Sequence, residues 1–271
     1  MESGTPFNFR NVEKSLSMWL ANQRDVSLER TAEELPLRRD VVTLLAFVRD
    51  NKIVGSPSTG NMPLKAVQEV TAQFVKPPCL EETIGEKTYR IRSEAELWPL
   101  YFLRSLAEVG GLIKVGRARL WRLTSHGERF LDADSRLQVA YLLAVWWHRV
   151  NWLVAYSFTG MGDALPYGFT QSTLAGLRSS PTGTFVRFEA FADALIHATG
   201  LRWGAPDPKI AIPALYGAVN RMVITVLADF GAVEREYREK RLGKSTFHEL
   251  DKFKITPWGK ALLDTVAIAV P

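Results

Sequence analysis

Lys114, Arg117, Arg119 and Arg122 fall within residues 114–122 with no acidic residue among them. Clustered Lys and Arg of this kind neutralise anions, and the phosphate backbone of nucleic acid is the polyanion that such a run suits. A second basic group, Arg235, Arg238, Lys240, Arg241 and Lys244, is interleaved with Glu234, Glu236 and Glu239. It reads more as a mixed-charge surface, with its cations as secondary phosphate contacts. The stretch GSPSTGNMPLKAV at 55–67 pairs Gly60 with a helix expected from about Pro63 to Phe74, and Lys65 adds charge. Backbone N–H groups at such a helix start can hold a phosphate. However, the spacing is neither Gly-x-x-x-x-Gly-Lys-Ser/Thr nor Gly-x-Gly-x-x-Gly, and Pro63 removes a donor. The favoured reading is a tight turn, with Lys65 kept as a secondary phosphate contact.

Other combinations point less clearly to chemistry. Glu189, Asp193 and His197 are spaced four apart and share one helix face, a geometry able to ligate a metal. The same face is equally the wet side of a helix whose dry side is Phe188, Phe191, Ala192 and Leu195. Trp146-Trp147-His148-Arg149 reads as core packing rather than a cofactor pocket. No Ser-His-Asp ordering, Gly-x-Ser-x-Gly elbow or paired-carboxylate motif stands in the sequence, so no catalytic residue, cofactor or metal is expected.

These residues must be held by a chain of 271 residues, 46% hydrophobic and 23% charged, which has ample apolar content for buried cores. The formal net charge of +5 leans mildly toward anionic partners. Cys79 is the only cysteine, so no intrachain disulfide and no Cys-x-x-Cys zinc site can form. This fits a reducing compartment, and MESGTPFNFRN lacks the pattern of a signal peptide, so a cytoplasmic location is expected. The run LQVAYLLAVWWHRVNWLVAY at 137–156 has the length of a membrane span, but His148, Arg149 and Asn151 interrupt it. It is expected to be a buried core helix, with no membrane partner.

The chain contains an internal repeat. LAEVGGLI at 106–113 matches LADFGAVE at 227–234, and LTSHGERFL at 123–131 matches ITPWGKALL at 255–263. The first phrase ends a helix, with Gly110 or Gly111, and Gly231, suited to a left-handed C-terminal residue. The apolar residues that follow, Leu112-Ile113 and Ala232-Val233, open a strand. In the second phrase Thr124 and Thr256 are candidate N-caps, and Pro257 suits a first helical position. Between the phrases lie hairpins: IKVGRARLWRL, and the longer VEREYREKRLGKSTFHELDKFKI. Alternation in the first puts Arg117 and Arg119 on one face with Trp121 in line.

Helix, hairpin and Leu-Thr-x-x-Gly-x-x-Leu together resemble the C-terminal half of a winged-helix domain, similar to the wings of MarR-like and PadR-like regulators. The wider pattern, S-T-G-N-x-P-L-K-A-V with W-P-L-Y-F-L further on, resembles a bacterial protein family with no established activity. The resemblance implies a mainly α protein with small β-hairpins (α+β), in which two tandem winged-helix-like units are joined by a helical core. The expected parts are an N-terminal helical region (1–80, with amphipathic helices at 11–23 and 39–50), a first unit (81–134), a Trp-rich helical region (135–208) and a second unit (209–271). The helices that would read bases argue against sequence readout. SEAELWPLYFLRSLAEVG starts with Glu94 and Glu96, which would repel phosphate. IPALYGAVNRMVITVLADFG offers only Asn220 and Arg221 as mid-helix polar groups. The leading expectation is therefore a non-catalytic, DNA-associated and regulatory protein that contacts phosphates of double-stranded DNA through Lys114, Arg117, Arg119 and Arg122. The alternative is a protein-interaction or scaffolding module, including a homo-oligomer, built on degenerate winged helices.

Overall fold

The computed structural model describes residues 26–84, 87–155, 164–204, 207–242 and 245–268, with Lys14. Apart from Lys14, the helix expected over 11–23 lies outside the described residues, as do Lys244 and the first half of the loop at 158–169. The described residues are mainly helical with small antiparallel sheets. They form two compact units, residues 1–150 and 151–270.

Unit 1 runs α1 (Val26–Glu34), α2 (Pro36–Asp50), α3 (Leu64–Thr71), β1 (Glu81–Ile84), β2 (Lys87–Arg90), α4 (Trp98–Val109), β3 (Ile113–Val115), β4 (Trp121–Leu123), α5 (Ser125–Leu131) and α6 (Ser135–His148). On α2, Val41, Leu44, Leu45 and Val48 recur at helical spacing and are all buried. The residues Leu137–Trp147 of α6 are buried on every side, so it is a core helix packed against α1, α2 and α4. Its one deeply buried amide is satisfied: Gln138 Oε1 accepts from Arg38 Nε at 2.5 Å and its Nε2 donates to the Phe130 carbonyl at 2.6 Å. The sequence boundaries at 80/81 and 134/135 both fall inside this unit, because α6 and the strand segment before α3 complete its core and sheet.

Unit 2 runs α7 (Phe169–Ser179), β5 (Val186–Arg187), α8 (Phe188–Thr199), α9 (Pro208–Val219), a π-helical turn (Asn220–Thr225), α10 (Val226–Asp229), β6 (Val233–Leu242), β7 (Ser245–Ile255) and α11 (Pro257–Ile268). Its sheet has the order β5-β7-β6, with both pairings antiparallel. Phe253 of β7 meets Phe191 of α8 edge-on at 5.2 Å in the core. Among the described residues, Pro208–Asp229 is the one helix apolar and long enough to cross a membrane by length and composition. It is not the segment at 137–156 that the sequence singles out.

The same order of elements occurs twice. Helix, strand segment, helix, helix, hairpin and helix are α2, the Val54 bridge to Leu120, α3, α4, β3–β4 and α5 in unit 1, where the β1–β2 hairpin is inserted between α3 and α4. They are α7, β5, α8, α9–α10, β6–β7 and α11 in unit 2. The repeat thus reaches into the first half of each unit, where the letters show nothing.

The shared junction explains why the two phrases survive in both copies. Gly111 (φ 68°) and Gly231 (φ 67°) are the left-handed residues that close the helices. In unit 1, Leu112 N–H donates to the Ala107 carbonyl at 2.8 Å and Gly111 N–H to Glu108 at 2.9 Å. In unit 2, Ala232 donates to Leu227 at 2.8 Å and Gly231 to Ala228 at 2.9 Å. This equates Gly111 with Gly231, and so Leu106 with Val226, one residue off the alignment suggested by the letters. Thr124 and Thr256 then repeat one arrangement. Each Oγ1 accepts from the N–H of the glycine three residues on (3.0 and 2.8 Å) and donates back to the Gly111 or Gly231 carbonyl (2.6 and 2.9 Å). Both are N-caps, and Pro257 is the first residue of α11.

Candidate nucleic-acid interface

The first hairpin is short. Ile113 pairs with Leu123, Lys114 with Arg122 and Val115 with Trp121. Lys114 and Arg122 therefore stand directly opposite one another, both exposed, a like-charge pair that disfavours the hairpin by itself. Arg117 and Arg119 lie in the turn between the strands, also exposed. Strand alternation does not apply there, so the expected line of Arg117, Arg119 and Trp121 on one face is not formed; Trp121 points inward and is 2% exposed. Ala118 and Arg119 both take left-handed backbone (φ 58°), a conformation that costs a non-glycine residue roughly 1–2 kcal/mol. Among the described residues none of these four cations is in an ion pair. The tip thus concentrates unneutralised positive charge on a strained turn.

That turn is mounted rigidly. The Gly55 N–H donates to the Arg119 carbonyl at 2.9 Å, and Trp121 N–H donates to the Ile53 carbonyl at 3.0 Å, which ties the chain before α3 to the two-stranded hairpin through a single bridge at Val54. Trp121 Nε1 donates to the Gly60 carbonyl at 3.0 Å, and the Arg104 guanidinium lies 4.7 Å over the indole. Arg104 Nη1 also donates to Asn61 Oδ1 at 2.8 Å and to the Glu94 carboxylate at 3.1 Å. Glu94 is fully buried and accepts the Met62 N–H at 2.6 Å. Burial holds its carboxyl above the usual carboxylate range, against the pull of Arg104 and the Met62 amide. Glu94 is therefore not a phosphate-repelling charge at a helix start. It is an internal partner of Arg104.

The same contacts shape the first part of the stretch at 55–67. The N–H groups of Ser56 and Gly60 donate to the Asn61 and Ser56 carbonyls (2.8 and 3.0 Å), and that of Met62 goes to Glu94. Those of Thr59 and Asn61 meet Ser56 Oγ and Thr59 Oγ1. With these donors turned inward, residues 55–62 form a turn, and Gly55 is required there because a Cβ would stand 2.2 Å from the Gly60 carbonyl oxygen. Lys65 projects from α3 into solvent, 3.9 Å from Glu69.

The second hairpin differs. Arg238 bridges Glu249 (3.0 Å) and Glu189 (2.6 Å), and Lys240 bridges Glu249 (3.2 Å). Lys254 with Glu234 and Lys252 with Glu236 continue the ladder at 2.9 and 3.1 Å. Arg235 stacks 5.6 Å over Tyr237, and Arg241 is exposed opposite Thr246. Of the secondary candidates, Arg238 and Lys240 are thus already neutralised. Glu189 is engaged with Arg238, and Asp193 accepts from Tyr216 Oη at 2.6 Å, so the Glu189–Asp193–His197 face is not assembled for a metal. Among the described residues no group of His, Cys, Asp and Glu is placed to share one.

The helices before each hairpin expose little that could read a base. On α4 the exposed residues are Pro99, Glu108 and Val109. Asn220 and Arg221 lie partly buried in the π-helical turn. Nearby, burial pushes the Asp229 carboxyl up to about 6, although Arg235 and Arg221 pull it down. A carboxyl raised on folding adds stability below its ordinary value of 3.8 and loses it as pH rises through about 6. Asp229→Asn is expected to stabilise unit 2 by ~1–2 kcal/mol near neutral pH, where the buried carboxylate must otherwise be held charged with partial screening by solvent. The gain should vanish toward about pH 4, which thermal unfolding at the two pH values checks.

Sequence reading missed two residues at the first hairpin. Lys52, exposed and in no ion pair among the described residues, lines the groove beside β4 together with Arg122. Arg104 holds the turn and Trp121 in place. Lys52 comes to the hairpin from far away in the chain and Arg104 from the helix just before it, and no local pattern marks either. No family model, no curated protein and no solved structure matches this chain.

Proposed function

We propose that unit 1 associates with double-stranded DNA through its hairpin, in the manner of a winged-helix wing. Lys114, Arg117, Arg119 and Arg122 neutralise backbone phosphates, with Lys52 beside them. The observation that carries this reading is four exposed cations on an anchored hairpin with a strained turn and, among the described residues, no acidic partner, while Arg238 and Lys240 on the equivalent hairpin of unit 2 are paired with acids. The helix, helix, hairpin, helix order shared by the two units, with β1–β2 inserted in unit 1, supports a winged-helix-like reading. Contacts of this type position a protein on DNA without reading its sequence, and the absence of exposed base-reading groups on α4 fits a non-specific or shape-dependent association. A regulatory role is consistent with that chemistry.

Titration of a fluorescent random duplex at low salt tests the reading. Arg117→Ala/Arg119→Ala is expected to weaken binding by roughly tenfold or more, two lost phosphate contacts being worth about 1 kcal/mol each at low ionic strength. Arg238→Ala/Lys240→Ala should leave affinity within about twofold, because those side chains already have partners. No binding by the wild-type protein at low salt overturns the proposal. A second reading, protein interaction, is favoured in unit 2 by Ile210 and Ile212, 58% and 47% exposed at the start of α9.

A further inference from the structure

β6 lies at the edge of its sheet, paired only with β7. Among the described residues no further backbone hydrogen bond reaches its outer side. An open edge from Val233 to Leu242 is long for a folded protein and is a template for another strand. The irregularity in this hairpin does not blunt it. Glu236 pairs with Lys252 and Tyr237 with Leu250, so the extra residue is Asp251 on β7, and β6 keeps regular spacing along its outer side.

The side chains on this edge form a charge palindrome. From 234 to 240 they read Glu-Arg-Glu-Tyr-Arg-Glu-Lys. Antiparallel pairing of two copies about a two-fold at Tyr237 sets Glu234 opposite Lys240, Arg235 opposite Glu239 and Glu236 opposite Arg238, with the two Tyr237 rings facing each other. From 234 to 240 every directly opposed charge is then matched. Moving the register by two residues toward either end places Arg238 against Arg238 or Glu236 against Glu236 on the axis, so the pattern selects one register. The intrachain ladder continues through it: Lys252, Glu236, then Arg238 and Glu249 of the second copy alternate in sign across four strands.

We infer that the outer edge of β6 is a homodimer interface, occupied by β6 of a second copy of this chain in antiparallel register about Tyr237. An isologous contact of this kind is what a closed two-fold requires. Tyr237, 45% exposed, supplies the aromatic pair at the axis. The interface does not involve the first hairpin, so it stands or falls independently of DNA association.

Register-specific crosslinking of the full-length chain tests this. In a Cys79→Ser background, which removes the native thiol, Tyr237→Cys places two thiols directly opposite, with Cα atoms about 4.5–5.5 Å apart, within disulfide range. Mild oxidation is expected to convert this variant to a covalent dimer. Arg235→Cys and Glu239→Cys should each remain uncrosslinked alone, and Arg235→Cys/Glu239→Cys together should crosslink. Sedimentation without oxidant gives the second measurement. The wild type is expected to be dimeric at micromolar concentrations, and Glu239→Lys, which puts Arg235 against a lysine twice per dimer, should weaken association by about tenfold. A monomeric wild type, or equal crosslinking of all three single-cysteine variants, overturns the inference.

Discussion

Arg104→Met is expected to destabilise unit 1 by about 3–5 kcal/mol, the cost of leaving a buried charge without its partner. Glu94 has no exposed surface and keeps only the Met62 amide once Arg104 is gone. The same substitution frees Asn61 and uncovers the Trp121 ring, so the turn at 55–61 and the hairpin lose their common anchor. The pH dependence distinguishes this mechanism from lost packing. Burial already holds the Glu94 carboxyl high, and removing the Arg104 cation raises it further. A carboxyl raised on folding takes up a proton, so its penalty is absent in acid and grows as pH rises through the folded value. The deficit of Arg104→Met should therefore be largest at neutral pH and above, and should shrink in acid. Glu94→Gln/Arg104→Met should recover much of it, because a neutral glutamine still accepts the Met62 N–H. Urea unfolding followed by tryptophan fluorescence across pH measures both effects, and a pH-independent deficit equal in the single and double variants would contradict the account.

Gly259→Ala and Gly127→Ala should each cost about 3 kcal/mol or more, at the upper end of overpacking, and for the same reason in each unit. A Cβ on Gly259 would stand 1.9 Å from the Ala232 carbonyl oxygen, and one on Gly127 would stand 2.3 Å from that of Leu112. These contacts are with backbone that is fixed from the other side, since the same two carbonyls accept the Thr256 and Thr124 N–H groups at 3.1 and 3.0 Å. Relief requires moving either the helix closed by Gly231 or Gly111 or the helix capped by the threonine. By contrast Gly168→Ala meets nothing within 4 Å, and its cost is confined to its left-handed φ of 77°, about 1 kcal/mol. Thermal unfolding of the three variants checks the order. A Gly259→Ala protein as stable as Gly168→Ala would show that the two helices are not locked at the threonine-glycine junction.

The helix ends and caps were legible because they are local. Thr-x-x-Gly, the left-handed glycine and Pro257 act within one or two turns, and their residue types follow directly from backbone geometry. Of the buried helix expected over 137–156, the part up to His148 was legible for a similar reason, since the apolar run from Val139 to Trp147 leaves no polar face; the helix ends at His148, and Trp152–Ala155 is a separate single turn beyond Arg149 and Asn151. What the letters conceal is long-range. The tie between the first hairpin and the chain before α3 is a single bridge at Val54, too short for any periodicity. Glu94 looks like a surface acid because its partner, Arg104, is visible only when the turn at Asn61 folds over both. Arg238 and Lys240 resemble Arg117 and Arg119 in composition, yet their charges are neutralised by β7 and α8, and only pairing register reveals it.

A phosphate clamp at the first hairpin, as proposed above, makes duplex DNA binding depend steeply on salt. Four phosphate contacts predict a slope of about −3.6 in log affinity against log salt, and Arg117→Ala/Arg119→Ala should reduce its magnitude by about 1.8. A slope that the double substitution leaves unchanged, or no binding at the lowest salt, would contradict the assignment of DNA association to this hairpin.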